Sequence, residues 1–260
     1  TSLPGLESMQ IAAKVENLLD KAIIDIHADS VHAGIDLPQG YTGKDVYIGV
    51  TDWGFDYTSP MFYDTTLSES RIVAAWDQFK ISGPSPNGFN YGTEYTSPQD
   101  LMNAQSDTSN VYQYSSHGTH VAGIAAGSGA GTPYRGVAFE SKLLFVTFIF
   151  NVASVLDAWE WMYQKAQADG KRLVVNMSWG IYHFGALDGT SLLSQAITAY
   201  TDLGVIFVNS GGNNGNVNFH LKKTFSNDVL KSRINFYNYS SNQNMWGQSI
   251  HSWGEVGNNF

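Results

Sequence analysis

The sequence predicts an α/β fold around a mostly parallel sheet. Short apolar runs of strand length alternate with longer segments of helical period through the middle of the chain, and turn-rich stretches separate them. The 260 residues include 43% hydrophobic side chains, 13% aromatics and 26 Gly, so enough surface is available for burial to offset the entropy of ordering the chain.

Residues 8–26 place Ile11, Val15, Leu18, Leu19 and Ala22 at helical spacing behind Ser8, a residue type that caps helices. The turn-rich stretch 37–44 leads into Val46 to Thr51, an apolar run that reads as a buried strand ending at Asp52. Residues 78–110, rich in Gly, Pro, Asn, Ser and Thr, lack either period and read as a long surface loop. Helices are expected over Ser115 to Gly127, Ser154 to Ala168 and Leu192 to Tyr200. Strands are expected over Leu143 to Ile149, Leu173 to Met177 and Val205 to Val208. After Gly215 the pattern alternates, as in Val217-Asn218-Phe219-His220-Leu221, which predicts β structure. The expected division is therefore an α/β domain over 1–215, with its N-terminal helix, and a β-rich segment over 216–260.

Composition narrows the function classes. The net charge is −9 with no run of Lys or Arg, which argues against nucleic acid or an anionic membrane as partner. No cysteine is present, which excludes disulfides, thiolate nucleophiles and Cys-based zinc sites. No stretch approaches eighteen consecutive apolar residues, so no membrane span is expected.

In open α/β sheets, ligands bind beyond the carboxyl ends of strands. Three polar residues draw attention on that ground. Asp52 follows the first strand, His117 opens a helix within Ser115-Ser116-His117-Gly118-Thr119-His120, and Asn213 follows the strand at 205–208. A carboxylate that orients an imidazole, an imidazole that shuttles protons and an amide that binds an oxyanion are what acyl transfer needs beside a nucleophile. Each residue alone has an ordinary structural reading. Asp caps turns, and Asn tolerates the left-handed region.

Together these segments resemble the subtilisin-like serine proteases, or subtilases. Val50-Thr51-Asp52-Trp53-Gly54 resembles the family's Asp motif, and His117-Gly118-Thr119-His120-Val121-Ala122-Gly123 its His motif. Gly136-Val137-Ala138 resembles a shorter signature that precedes a core strand. Asn176-Met177-Ser178-Trp179-Gly180 resembles the segment that pairs with substrate backbone, and Ser210-Gly211-Gly212-Asn213 the segment with the oxyanion Asn. The resemblance implies a three-layer subtilisin-like fold, incomplete at its C-terminus, and serine endopeptidase activity on polypeptide substrates. Asp52 would be the triad acid, His117 the general base and Asn213 the oxyanion donor. Ser178, Trp179, Gly180, Ser210, Gly211 and Gly212 would form the walls of the substrate pocket. Export to a secreted, periplasmic or cell-surface location is implied as well. No cofactor is required by that chemistry, though Ca²⁺ binds many subtilases as a structural ion.

The chain departs from the family at the nucleophile. After Asn213 the serines are Ser226, Ser232, Ser240, Ser241, Ser249 and Ser252, and none stands in Gly-Thr-Ser. The one Gly-Thr-Ser, Gly189-Thr190-Ser191, precedes Asn213 and directly precedes a helix, so Ser191 reads as a helix cap. The expectation is a fragment of a longer protease, cut within an inserted or appended β-sandwich and inactive by itself. A catalytically dead peptide-binding module is the alternative, and a glycan-binding role would concern only 216–260. Trp53 stands where the family usually has Thr or Ser, so altered hydrogen bonding at Asp52 is expected. His120 reads as a structural member of its motif, and Phe139 as a structural replacement of the family's Pro.

Overall fold

The computed structural model describes residues 19–108, 116–180, 188–213, 224 and 226. Most of segment 216–260, residues 8–18 of the first predicted helix and Ser115 lie outside the described residues. A six-stranded sheet has the order β3-β2-β4-β1-β5-β6. Its strands are β1 (Val46–Asp52), β2 (Ile72–Asp77), β3 (Thr93–Tyr95), β4 (Lys142–Thr147), β5 (Arg172–Met177) and β6 (Ile206–Asn209). Every pairing is parallel except β2 with β3. The architecture is therefore α/β with a mostly parallel sheet, as the sequence predicts.

Strand β1 sits between β4 and β5, with Asp52 paired to Thr147 and Thr51 to Met177. Both faces of β1 are covered, which is why its sequence is continuously apolar and not alternating. Ile48 and Val50 face Leu143, Phe145, Phe55 and Phe62, a cluster closed by Ala122 and Ala126 of α4 (His117–Ala126). Tyr47 faces Leu144, Val146, Trp159 and Met162, on the side covered by α5 (Val152–Ala168). A β-carbon at Gly49 would stand 2.5 Å from the Met162 sulfur, so glycine lets α5 lie close to β1. The layers are helix, sheet, helix.

Arg71, only 3% exposed, ties these layers together at the entry to β2. Its guanidinium donates to the carbonyls of Met61, Tyr63 and Ser141 at 2.9 Å, and to that of Ala126, the last residue of α4, at 2.6 Å. Helix-end carbonyls lack intrahelical partners, and here an arginine supplies one. Burial pushes its pKa down to about 10, opposed by the charges of Asp64 and Glu140, so it stays cationic at neutral pH.

The far side is less covered. Helix α6 (Leu192–Asp202) has no buried residue, and β6 pairs only with β5 among the described residues, with Ile206 and Val208 exposed. Ser191 is the N-cap of α6, its hydroxyl accepting from the Ser194 amide at 3.2 Å.

The structure holds elements that the sequence reading does not assign, β2 among them. The described part of the first helix is α1 (Leu19–Asp25), within the expected 8–26, and after His27, left-handed at φ 57°, comes α2 (Ala28–Ala33), which the sequence reading does not assign. The expected loop 78–110 contains β3 and α3 (Pro98–Ala104). Three residues are too few to display a period. Helix α3, however, is announced by a Ser97 cap, Pro98 in the first turn and Asp100, whose amide donates to the Ser97 hydroxyl at 3.1 Å.

Candidate active site

The carboxyl edge of the sheet gathers the candidate residues. Asp52 ends β1, Ser178 to Gly180 follow β5 beside it, and Ser210 to Asn213 follow β6 beyond that. The chain builds β2 and β4 on one side of β1, then crosses to β5 and β6 on the other. Such a switch of direction opens a crevice at the strand ends.

Asp52 is completely buried, and its Oδ1 accepts from His117 Nδ1 at 2.6 Å and from the Trp53 amide at 2.7 Å. Its Oδ2 has no hydrogen-bond partner among the described residues. Burial pushes the carboxyl up to about 6, opposed by the hydrogen bonds from His117 and Trp53 and the attraction of His117, while the charge of Asp107 adds to the rise.

His117 is the first residue of α4, its side chain 34% exposed. Nδ1 is the ring nitrogen engaged by Asp52, and Nε2 is the other. The start of α4 is strapped to the segment leaving β1. Gly118 N donates to Trp53 O at 2.6 Å, Thr119 N to Gly54 O at 3.2 Å, and the Thr119 hydroxyl to Gly54 O at 2.8 Å. A β-carbon at Gly118 would stand 2.8 Å from both Trp53 O and a Phe55 ring carbon. Gly118→Ala is expected to cost about 1–3 kcal/mol as an overpacking change, read from urea unfolding of the chain.

Asp107 reinforces the same segment. Its Oδ2 accepts from Gly54 N at 2.8 Å, Phe55 N at 3.2 Å and the Thr147 hydroxyl at 2.6 Å. Burial pushes its carboxyl up against those three bonds. Sequence reasoning missed Asp107, because an Asp within Gln105-Ser106-Asp107-Thr108 reads as one more turn residue.

The other predicted residues are placed at the crevice in differing degree. Trp179 turns its indole back to β1, Nε1 donating to Thr51 O at 3.0 Å and Thr51 Oγ1 at 3.1 Å. Ser178 Oγ accepts from Asn176 Nδ2 at 3.0 Å, and Ser210 N donates to Met177 O at 3.0 Å, which holds the two stretches side by side. Gly180, Gly211, Gly212 and Asn213 are exposed, with Gly212 at φ 82°, a conformation that favours glycine. Asn213 shares the edge, four residues beyond the end of β6.

Aromatic rings crowd the pair. Trp53 stacks on the His117 imidazole at 5.0 Å and 11°, and Phe150 meets Trp53 edge-on at 5.0 Å. Phe148 lies 6.2 Å from Trp53 and 5.1 Å from Trp179. Concavities of about 430 and 480 Å³ lie elsewhere, one beside Tyr57, Tyr63 and α3, the other between α2 and residues 133–139. Neither is lined by Asp52 or His117. Among the described residues, no group of three or more His, Cys, Asp or Glu is placed to hold a metal ion, and no helix is long and apolar enough to cross a membrane.

A buried carboxylate bonded to an imidazole thus stands at the strand ends of a mostly parallel sheet. The subtilase family model matches residues 43–249, and the chain belongs to that family. Among solved structures it is similar to the CspB protease of Clostridium perfringens, with 25% identity and a TM-score of 0.55 over 72% of this chain and 39% of that one. It is also similar to sphericase, with 22% identity and a TM-score of 0.47 over 72% of this chain and 52% of that one. The chain thus spans about two-fifths to half the length of these proteases.

Proposed function

We propose that this chain carries the acid, the base and the oxyanion donor of a serine endopeptidase that hydrolyses peptide bonds. The 2.6 Å bond between Asp52 and His117 at the carboxyl edge supports this reading above all. Asp52 fixes the tautomer with the proton on Nδ1 and steadies the imidazolium. His117 Nε2 takes the proton of a serine hydroxyl as it attacks the carbonyl, and then passes it to the leaving amine. The Asn213 amide binds the oxygen that becomes negative. The substrate backbone lies as an added strand between Ser178–Gly180 and Ser210–Gly212, where glycines let it approach. No cofactor enters the reaction, a structural Ca²⁺ has no assigned ligands, and an exported location fits the family.

The nucleophile is not among these 260 residues in this proposal. Ser191 is engaged as the cap of α6, and no later serine stands in Gly-Thr-Ser. Incubated with a chromogenic peptide and a fluorophosphonate probe, the chain is expected to give neither turnover nor labelling. Turnover with the label on Ser191 would refute the assignment. In an enzyme that supplies the serine, Asn213→Leu is expected to lower kcat about 10²–10³-fold, the range for loss of one such donor in subtilisin. An unchanged kcat would place the donor elsewhere.

A further inference from the structure

We propose that Trp53 is a positioning residue for His117: its indole holds the imidazole in the orientation that meets Asp52 and shields the bond between them from water. The inference rests on the reading of Asp52 and His117 as the acid–base pair.

Trp53 joins both halves of that pair through its backbone. Its amide donates to Asp52 Oδ1 at 2.7 Å, and its carbonyl accepts from Gly118 N at 2.6 Å, so one residue links the end of β1 to the start of α4. The ring is fixed in turn. It is 9% exposed, with Phe150 edge-on at 5.0 Å and Phe148 at 6.2 Å, while it stacks on the imidazole with ring centroids 5.0 Å apart and planes at 11°. An imidazole with one face covered by a locked indole cannot swing through that space, and water cannot reach the Nδ1–Oδ1 bond from that side.

The electrostatics point the same way. His117 is the first residue of α4, where the positive end of the helix dipole opposes a cation on the ring. The negative π face of an indole attracts that cation and counters the dipole during proton transfer. Among the described residues Asp52 has two hydrogen-bond donors, the His117 ring and the Trp53 amide, and both serve Oδ1. Loss of the His117 bond would leave a buried carboxylate with a single partner, so a group that keeps the ring in place has a large lever.

The test compares two apolar replacements in the chain as it stands, with ¹⁵N-labelled histidine. Nuclear magnetic resonance reads the exchange with water of the Nδ1 proton shared with Asp52. Trp53→Leu fills space without a π face, and Trp53→Phe keeps a ring. Backbone amide spectra establish that each variant folds, and Trp53→Met and Trp53→Tyr stand in for a variant that does not. Exchange about tenfold faster in the aliphatic variant, with the aromatic variant close to the parent, is expected for loss of an aromatic stack. Unchanged exchange in both, or equal acceleration in both, overturns the proposal. Because the readout is the bond itself, its failure leaves the acid–base reading standing. A kcat near the parent's for Asp52→Asn in a serine-bearing enzyme would defeat that reading without altering this result.

Discussion

Asp52→Asn is expected to stabilise the chain while disabling the proposed acid–base pair. Asp52 is completely buried and its carboxyl is pushed up to about 6, against an ordinary value of 3.8. As pH rises past 4 the unfolded chain releases this proton, whereas the folded chain keeps it until about pH 6. The stability present below pH 4 is therefore lost across that window and stays lost above it. The difference corresponds to about 3 kcal/mol at pH 8. Asparagine keeps an oxygen for the Trp53 amide and carries no charge to desolvate. Urea unfolding should find the Asp52→Asn variant more stable than the parent at pH 8, with the gap closing below pH 4. A less stable variant at pH 8 would mean that attraction to His117 outweighs burial. In a serine-bearing enzyme the same change is expected to slow kcat about 10⁴-fold, because the amide no longer selects the Nδ1–H tautomer. A kcat within a factor of about ten of the parent would remove Asp52 from the mechanism.

Arg71→Ala is expected to lower stability by about 3 kcal/mol or more. Four carbonyls, those of Met61, Tyr63, Ala126 and Ser141, lose a charged donor, and hydrogen bonds to charged groups contribute roughly 1.5–3 kcal/mol each with strong overlap. The vacated space adds a cavity cost. Arg71→Lys should fall between the two, since an ammonium has three donors and lacks the planar fork. Because Ala126 ends the helix that His117 begins, histidine ring signals should broaden in Arg71→Ala before global unfolding. A loss below about 1 kcal/mol by urea unfolding would mean that water replaces the guanidinium at little cost.

The sequence is legible where one strand or helix declares itself and obscure where distant segments cooperate. Strands β1, β4 and β5 appear in it because strands covered on both faces read as apolar runs, and the short run at β6 appears although that strand is exposed. Strand β2 carries the same signal in Ile72-Val73-Ala74-Ala75-Trp76, within reach of the rule yet outside the segments assigned by it. The bond between Asp52 and His117, 65 positions apart, is foreshadowed by their motifs alone. Asp107, Thr147 and Arg71 carry no such mark. Their roles arise when β4, α4 and the loop after β1 converge, and no local pattern encodes that meeting. Trp53 is visible as an oddity, but its stack on the imidazole requires α4 to dock on β1.

The order of the strands also divides the crevice by resilience. Asp52 stands on β1, flanked by β4 and β2 on one side and by β5 and β6 on the other, among the last elements to open in native-state fluctuations. Asn213 hangs from the thinly covered β6, among the first. A polypeptide laid across the 178–180 and 210–212 stretches would brace the weaker flank, so ligand occupancy and protection against proteolysis would rise together.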